Sequence, residues 1–551
     1  MSSERVLIVN GRVVDGTGNP WFYADVLIEG DVIAAIAPAG SIEPLTADEV
    51  VDATGHVICP GFIDIQSHSI TPFFVDGRAV SKITQGVTTE IMGEGWTPSP
   101  FGGKIDEPIA EGMIRRLGAD FETLLNLTKS WTRFGDWLEF LDNRGVSVNF
   151  GSFIGGGTVR EYARGYEMGE SSADEIDLMK RVVAEAMEDG AFGIATALIY
   201  PPGSYADDNE LIALCEVVAD YRGIHITHLR SEEDRFLFAL EEMIEIARKS
   251  GVITEIYHLK AAGKRNWDKM PGAIAMIDAA REEGLDIAAD MYPYNSGGTG
   301  MLAMVPPWAE EGGRFFERVR NPEERAEIAK TMREATGVTD WANFGNVSGP
   351  ENVLVASPGH PEISQYQGWW LSDIAADRNQ DWVDAALDLL AIEGHNIFAF
   401  YRMMSEENQA LQLQQPWMKV STDAAGVDPE FAVGWGLAHP RSYGTYTRVL
   451  GHFVRDLKVI TLEDAVRKMS GAVAGRLGLW DRGLLRAGLA ADVVVFDPAT
   501  VADVATYTDP HQLSVGIRDV WVNGGRVVRD SVHTGDLPGN RVDGPRRIRS
   551  N

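Results

Sequence analysis

Cysteine, basic charge and long apolar runs are all scarce in this chain of 551 residues. It holds two cysteines, Cys59 in an apolar strand pattern and Cys215 in a helical one. Both read as buried, reduced thiols, which excludes a disulfide scaffold and suits a reducing cytoplasm. No run of about 18 apolar residues occurs, so no spanning helix and no membrane partner are expected. Met1–Arg5 leads into no signal-peptide core, and a cytoplasmic location is the expectation. Lys and Arg number 49 against 81 Asp and Glu, a net charge of −32. That lacks the basic footprint a nucleic-acid binder needs, and it favours solubility. Low-complexity tracts and short internal repeats are missing too, which argues against a solenoid.

What is present is a two-part organisation. Residues 4–60 read as short strands (Arg5–Asn10, Ala24–Glu29, Val32–Ala37) punctuated by Gly11, Gly16, Gly18 and Gly30. Residues 491–529 repeat the style, with Ala491–Val495, Ile517–Val522 and a turn at Asn523–Gly524–Gly525. Neither end has apolar surface for its own core, so both are expected to combine: 1–60 and 478–551 as one small β-sandwich domain. Between them, strand patterns at 149–154, 192–197, 223–227, 252–257 and 286–291 alternate with helical patterns at 172–189, 209–221, 236–250 and 272–283. Ser172 is a candidate N-cap and Gly284 a candidate terminator. This rhythm predicts an α/β fold, a (β/α)8 TIM-like barrel over 61–477. The span exceeds the roughly 250 residues of a plain barrel. Insertions are therefore expected, at about 97–147 and 301–380. Both are rich in Trp, Gly and Pro, and suit a lid or a homo-oligomer contact.

The informative residues sit where strand patterns end. Gly61–Ile65 runs into Gln66, Ser67 and His68. Ile224–Thr227 runs into His228, Ile256–Tyr257 into His258, and Lys419–Thr422 into Asp423. Imidazoles and a carboxylate at the C-terminal ends of separate strands are what a metal-dependent hydrolase barrel needs, because each strand delivers one side chain to a shared rim. A lone histidine at such a place is more often a hydrogen-bonded core group. Four matching strand ends favour ligation, with neutral imidazoles suited to zinc. Glu94, after the strand pattern 87–92, is either a further oxygen ligand or a solvated loop carboxylate. His225 and His228 are an odd number of residues apart, so on a regular strand they face opposite ways.

Several spaced motifs resemble the amidohydrolase superfamily and, within it, the D-aminoacylase (N-acyl-D-amino-acid deacylase) family. They are Pro60–Gly61–Phe62–Ile63–Asp64, Gly86–Val87–Thr88–Thr89, Thr227–His228–Leu229–Arg230, His258–Leu259–Lys260, Tyr292–Pro293–Tyr294, and His439–Pro440–Arg441 through Gly444–Thr445 to Arg448–Gly451. The tail Asp481–Arg482–Gly483 with Ala490–Pro498 matches as well. The resemblance implies a zinc-dependent hydrolase of linear amides, namely N-acyl-D-amino acids or related N-acyl amino acids. Two departures stand out. Gly93–Glu94–Gly95–Trp96 replaces the family's Gly-Asn-Cys-Gly loop, so a thiolate ligand is lost and a carboxylate offered beside it. Gln66 and His68 replace the family's His-x-His pair. N-acetylglucosamine-6-phosphate deacetylases show a similar pattern, with a glutamate and two histidines on one metal.

The resemblance thus implies one tight zinc at Glu94, His228 and His258. It leaves room for a second, weak metal at His68, Asp423 and the amide oxygen of Gln66. Asp423 would be general base and acid, the alternative being a turn-capping aspartate. Tyr200 would stabilise the oxyanion, or else merely pack at a strand end. Arg441 would receive a substrate carboxylate, assisted by Lys260 and Tyr292. Two other readings stay open: a dipeptidase or cyclic-amide hydrolase of the same superfamily, and a non-catalytic scaffold that has lost metal ligands.

Overall fold

The computed structural model describes residues 4–109, 120–335 and 341–545. The two chain ends meet in one nine-stranded sheet. Its seam is Val57–Pro60, paired in parallel with Arg5–Val13 on one side and antiparallel with Val493–Phe496 on the other. The paired strands of both chain ends enclose one shared core, the small two-ended β-domain expected. The unbroken apolar run at 493–496 explains how it is used. Val493 and Val495 join Ile8, Val26, Ile58 and Trp521 in the sheet's own core, while Val494 and Phe496 face the barrel with Cys59 and Val520. Successive strand residues point to opposite faces, so a strand buried on both sides is apolar throughout. The expected turn is there, with φ of 47° at Asn523 and 77° at Gly524, the left-handed pair a tight hairpin requires.

The middle of the chain is the barrel. Its eight parallel strands are Phe62–Ser67, Val87–Met92, Asn149–Ser152 continued by Ile154–Gly155, Gly193–Ala197, Ile224–His228, Ile253–Ile256, Ile287–Met291 and Met418–Val420. A bridge between Ser67 and Ala424 closes the ring from the eighth strand to the first. The crossover helices follow the sequence signals. Ser172 and Glu175 form a reciprocal capping box at the start of Ala173–Glu188, which satisfies two backbone donors of the first turn. Phe236–Ser250 ends on Gly251 at φ 70°, the left-handed cap that glycine adopts without strain.

Two insertions enlarge the barrel. The first carries helices Phe121–Thr128 and Gly135–Arg144; residues 110–119 of the expected segment lie outside the described residues. The second fills the chain between the seventh and eighth strands, more than the expected 301–380, of which 336–340 lie outside the described residues. It has a three-stranded antiparallel sheet (Ser296–Gly300, Phe398–Arg402, Val353–Val355) and a separate core around Met304, Ile328, Leu387 and Tyr401. Beyond the small sheet, the C-terminal segment returns to the barrel, where Val542 donates to Phe150 O and Gly544 to Gly190 O. Among the described residues no helix is long and apolar enough to cross a membrane.

Candidate active site

The barrel places the chemistry at one rim. Gln66 and His68 end the first strand, Glu94 follows the second, His228 ends the fifth, His258 follows the sixth and Asp423 follows the eighth. All but Gln66 line one cavity of about 400 Å3, with Tyr200, Glu232, Lys260, Tyr292 and Arg441. Two of these residues adopt left-handed backbone conformations, His258 at φ 34° and Asp423 at φ 50°. Such strain persists only where surroundings hold it, and it concentrates at functional sites. Here the holders are visible. The His258 N–H donates to Asp290 Oδ1 at 2.9 Å. The Asp423 N–H donates to Gln66 O at 3.0 Å. Its neighbour Thr422 donates through both N–H and Oγ1 to Asp64, which the buried Lys82 ammonium grips at 2.6 Å.

Glu94 is the hub. Its Oε1 lies 3.2 Å from His228 Nδ1 and 3.4 Å from His258 Nε2, and the three residues' donor atoms all fall within 4.8 Å of one another. Ligands about 2.0–2.1 Å from a tetrahedral zinc are about 3.3 Å apart, so both Glu94 contacts have the length of a coordination edge. One carboxylate and two imidazoles are also donors that zinc accepts. The residues present therefore fit a zinc ion. Burial alone would raise the Glu94 carboxyl, but hydrogen bonds from His228, His258 and His68 outweigh it and hold the group well below the usual range. The turn carrying Glu94 has no room for an added side chain at position 95: a Cβ on Gly95 would meet Ala197 Cβ at 2.8 Å, and the residue has φ 63°.

A second cluster joins His68, Glu94 and Asp423. His68 Nε2 lies 2.8 Å from Asp423 Oδ1 and 3.2 Å from Glu94 Oε2. Burial pulls the His68 pKa down, yet its bonds to Asp423 and Glu94 lift it to about 9. The expectation that Gln66 offers an amide oxygen to a metal needs correction. Its Nε2 faces the acids, donating to Glu94 Oε2 at 2.5 Å and Asp423 Oδ1 at 3.1 Å, while Oε1 accepts from Ser421 at 3.3 Å. Two carboxylates attract an N–H and repel a carbonyl oxygen, so the amide bridges them as a donor.

Arg441 opens the helix Arg441–Arg448. Its Nη1 is 2.6 Å from Asp423 Oδ2, its Nη2 donates to Gly298 O at 3.1 Å, and its guanidinium sits 4.6 Å from the Tyr292 ring centroid. Burial raises the Asp423 carboxyl, but Arg441 and His258 prevail and its pKa falls below the ordinary value. Tyr200 packs its ring against His228 at 5.2 Å and donates to Thr299 Oγ1 at 2.9 Å. Burial keeps its phenol protonated, so it remains a donor. Lys260 also departs from expectation. It faces the cavity, but its ammonium is taken by Glu232 Oε1 at 2.6 Å and lies 2.7 Å from His258 Nδ1. Arg441 is likewise paired, with Asp423, but its fork carries five N–H donors where the Lys260 ammonium has three.

Glu232 is the residue the sequence reading missed. The signal was its place four residues after His228, in Ser231–Glu232–Glu233–Asp234, but an acidic loop has nothing local to distinguish it from a solvated one. His439 supports Arg441: its Nε2 bonds Ser296 O and its Nδ1 accepts the Arg441 N–H at 3.0 Å. His225 points away from the rim to Thr196, and burial lowers its pKa to about 3, as the odd spacing required.

The profile described as Amidohydrolase family matches residues 421–528. A D-aminoacylase of Alcaligenes xylosoxydans xylosoxydans is 32% identical over 97% of this chain and 96% of its own length. A crystal structure of D-aminoacylase aligns with a TM-score of 0.80 at 31% identity, covering 98% of this chain and 99% of that one. N-acyl-D-glutamate deacylase from Bordetella bronchiseptica, solved with zinc and a phosphonate mimic of the tetrahedral intermediate, aligns with a TM-score of 0.78 at 30% identity over 100% of this chain and 99% of that one.

Proposed function

This chain belongs to the D-aminoacylase family of amidohydrolases, and from that premise we propose that it hydrolyses N-acyl-D-amino acids with one zinc held by Glu94, His228 and His258. The observation that carries the reading is the convergence of these three donors on one point of the barrel rim, with Asp423 beside them. The chemistry a bound zinc supplies is Lewis acidity, enough to bring the pKa of water down to about 7.

The chain's own residues do the rest. Asp423, kept ionised by Arg441, accepts the proton of the attacking water as oxygen bonds to the acyl carbon. It then passes that proton to the nitrogen as the C–N bond breaks, giving a carboxylate and a free amino acid. Tyr200 donates its phenolic hydrogen to the developing oxyanion, exchanging Thr299 for substrate. Arg441, stacked on Tyr292, presents its guanidinium to the substrate carboxylate. A free carboxylate favours linear N-acyl amino acids over hydantoin-like rings, which have none.

A single ion is assigned because the Gln66 amide already spans Glu94 Oε2 and Asp423 Oδ1, the two acids a second cation would join. Two free, buried thiols at Cys59 and Cys215 suit a reducing, cytoplasmic setting. The deciding experiment is hydrolysis of paired D- and L-N-acyl amino acids, with zinc quantified in the same preparation. Turnover of the D-series with about one zinc per chain supports the proposal. Hydrolysis of L-substrates alone, or full activity in zinc-free protein, overturns it.

A further inference from the structure

We propose that the active-site cavity continues, behind the contact of Tyr200 with Thr299, into a subsite for the acyl group, and that the chain prefers uncharged acyl groups longer than acetyl. The inference rests on the N-acyl-D-amino-acid reading above and names the half of the substrate that reading leaves open.

A second cavity of about 290 Å3 lies against the first and shares three residues with it, Tyr200, Thr299 and Gly300. Those three form the partition. In the free protein the Tyr200 hydroxyl donates to Thr299 Oγ1 at 2.9 Å, which ties the two sides of the partition together. In the proposed reaction that hydroxyl turns to the oxyanion. The tie is therefore released by the step that places the acyl carbon beside it.

The strand Ser296–Gly300 gives the acyl group its direction. It is an edge strand, paired only with Phe398–Arg402. The Met301 N–H donates to Ile397 O and the Met403 N–H to Asn295 O, so the odd-numbered residues bond across the pair. Ser296, Gly298 and Gly300 turn their backbone groups to the free edge. Two carbonyls agree with this, Ser296 O meeting His439 Nε2 and Gly298 O accepting from Arg441. Along that edge Gly298 meets the guanidinium assigned to the substrate carboxylate. Thr299 meets the hydroxyl assigned to the oxyanion, and Gly300 borders the second cavity. The carboxyl and acyl carbons of an N-acyl amino acid are three bonds apart, close to the rise of about 3.3 Å per strand residue. A substrate laid from Gly298 to Thr299 thus sends its acyl chain on toward Gly300.

The walls of the second cavity suit a neutral chain. Ile199, Leu302, Ala303, Val305 and Trp341 supply apolar surface. The one carboxylate, Glu310, is pushed up to about 8 by burial, so it is largely protonated at neutral pH. No lysine or arginine lines the space among the described residues. An anionic acyl group would be buried there without a partner, which is costly.

The test is kcat/KM of the full-length, zinc-loaded protein on N-acetyl-, N-butanoyl-, N-hexanoyl- and N-succinyl-D-leucine. Each added methylene from acetyl to hexanoyl should raise kcat/KM, by up to about 4-fold. Succinyl, as long as butanoyl but charged, should fall below it about 10-fold or more. Ala303→Leu and Leu302→Trp narrow the second cavity and alter no residue given a task in the reaction. They should cut the hexanoyl substrate about 10-fold or more while leaving acetyl within about 2-fold. Acetyl as the best substrate of wild type overturns the inference, and so does equal loss on acetyl and hexanoyl in both variants. If neither variant folds, the wild-type series still decides, since the order of acetyl and hexanoyl is read without them. No turnover of any of the four overturns the parent reading, and the subsite with it.

Discussion

Arg441 Nη1 lies 2.6 Å from Asp423 Oδ2, so the guanidinium assigned to the substrate carboxylate also clamps the proposed base. A guanidinium that only received the substrate carboxylate would chiefly raise KM when lost. The geometry predicts more. Arg441→Ala should raise KM and lower kcat together, because a buried carboxylate loses its partner. Truncating one member of a buried charge pair costs about 3–5 kcal/mol, and kcat/KM should fall by at least about 100-fold. Steady-state kinetics on an N-acyl-D-amino acid and its carboxamide analogue check this. A loss confined to KM on the carboxylate substrate would show that the clamp does not matter.

Asp423→Asn should abolish turnover, by about 100-fold to 10,000-fold, with zinc content close to wild type. Asparagine keeps the size of the side chain but cannot take up a proton. Retained activity would remove Asp423 from the mechanism.

Glu94→Gln should weaken zinc retention. The change removes the one negative ligand from a set otherwise made of two neutral imidazoles. Dialysis against a chelator followed by metal analysis should leave the variant metal-free under conditions where wild type keeps its ion. Equal retention in both proteins would refute the ligand role.

Gln66→His should create a second metal position. The amide that now bridges Glu94 and Asp423 would be replaced by an imidazole beside His68, Glu94 and Asp423. Zinc titration should rise from about one to about two ions per chain. A wild type that already binds two ions would show that the amide does not block the position.

Substrates with apolar side chains should outrun acidic ones. The only Lys and Arg lining the cavity, among the described residues, are Lys260 and Arg441, both already paired with buried carboxylates. Much of the remaining wall is Phe344, Phe398, Leu437, Val427 and Trp435. Burying a second, unpaired carboxylate there costs several kcal/mol. N-acyl-D-leucine should therefore exceed N-acyl-D-glutamate about 100-fold or more in kcat/KM. Equal rates would mean that a cation reaches the pocket from elsewhere.

The sequence alone determined the barrel, the crossover helices with their caps, and the strand ends that carry His68, Glu94, His228, His258 and Asp423. These are local properties: apolar periodicity sets strand and helix, and a strand's end sets where its last side chain emerges. Tertiary structure decided what those side chains face. Gln66 was legible as a departure, but whether its amide turns oxygen or nitrogen to the rim depends on two acids arriving from the second and eighth strands. Lys260 was legible as a cation; that Glu232 takes it depends on two loops meeting. The union of the two chain ends was legible, but its pairing of Val57–Pro60 with Val493–Phe496 was not, since these strands lie more than 400 residues apart in the chain. Partnership between polar groups is settled by distances across the fold, and no window along the chain contains them.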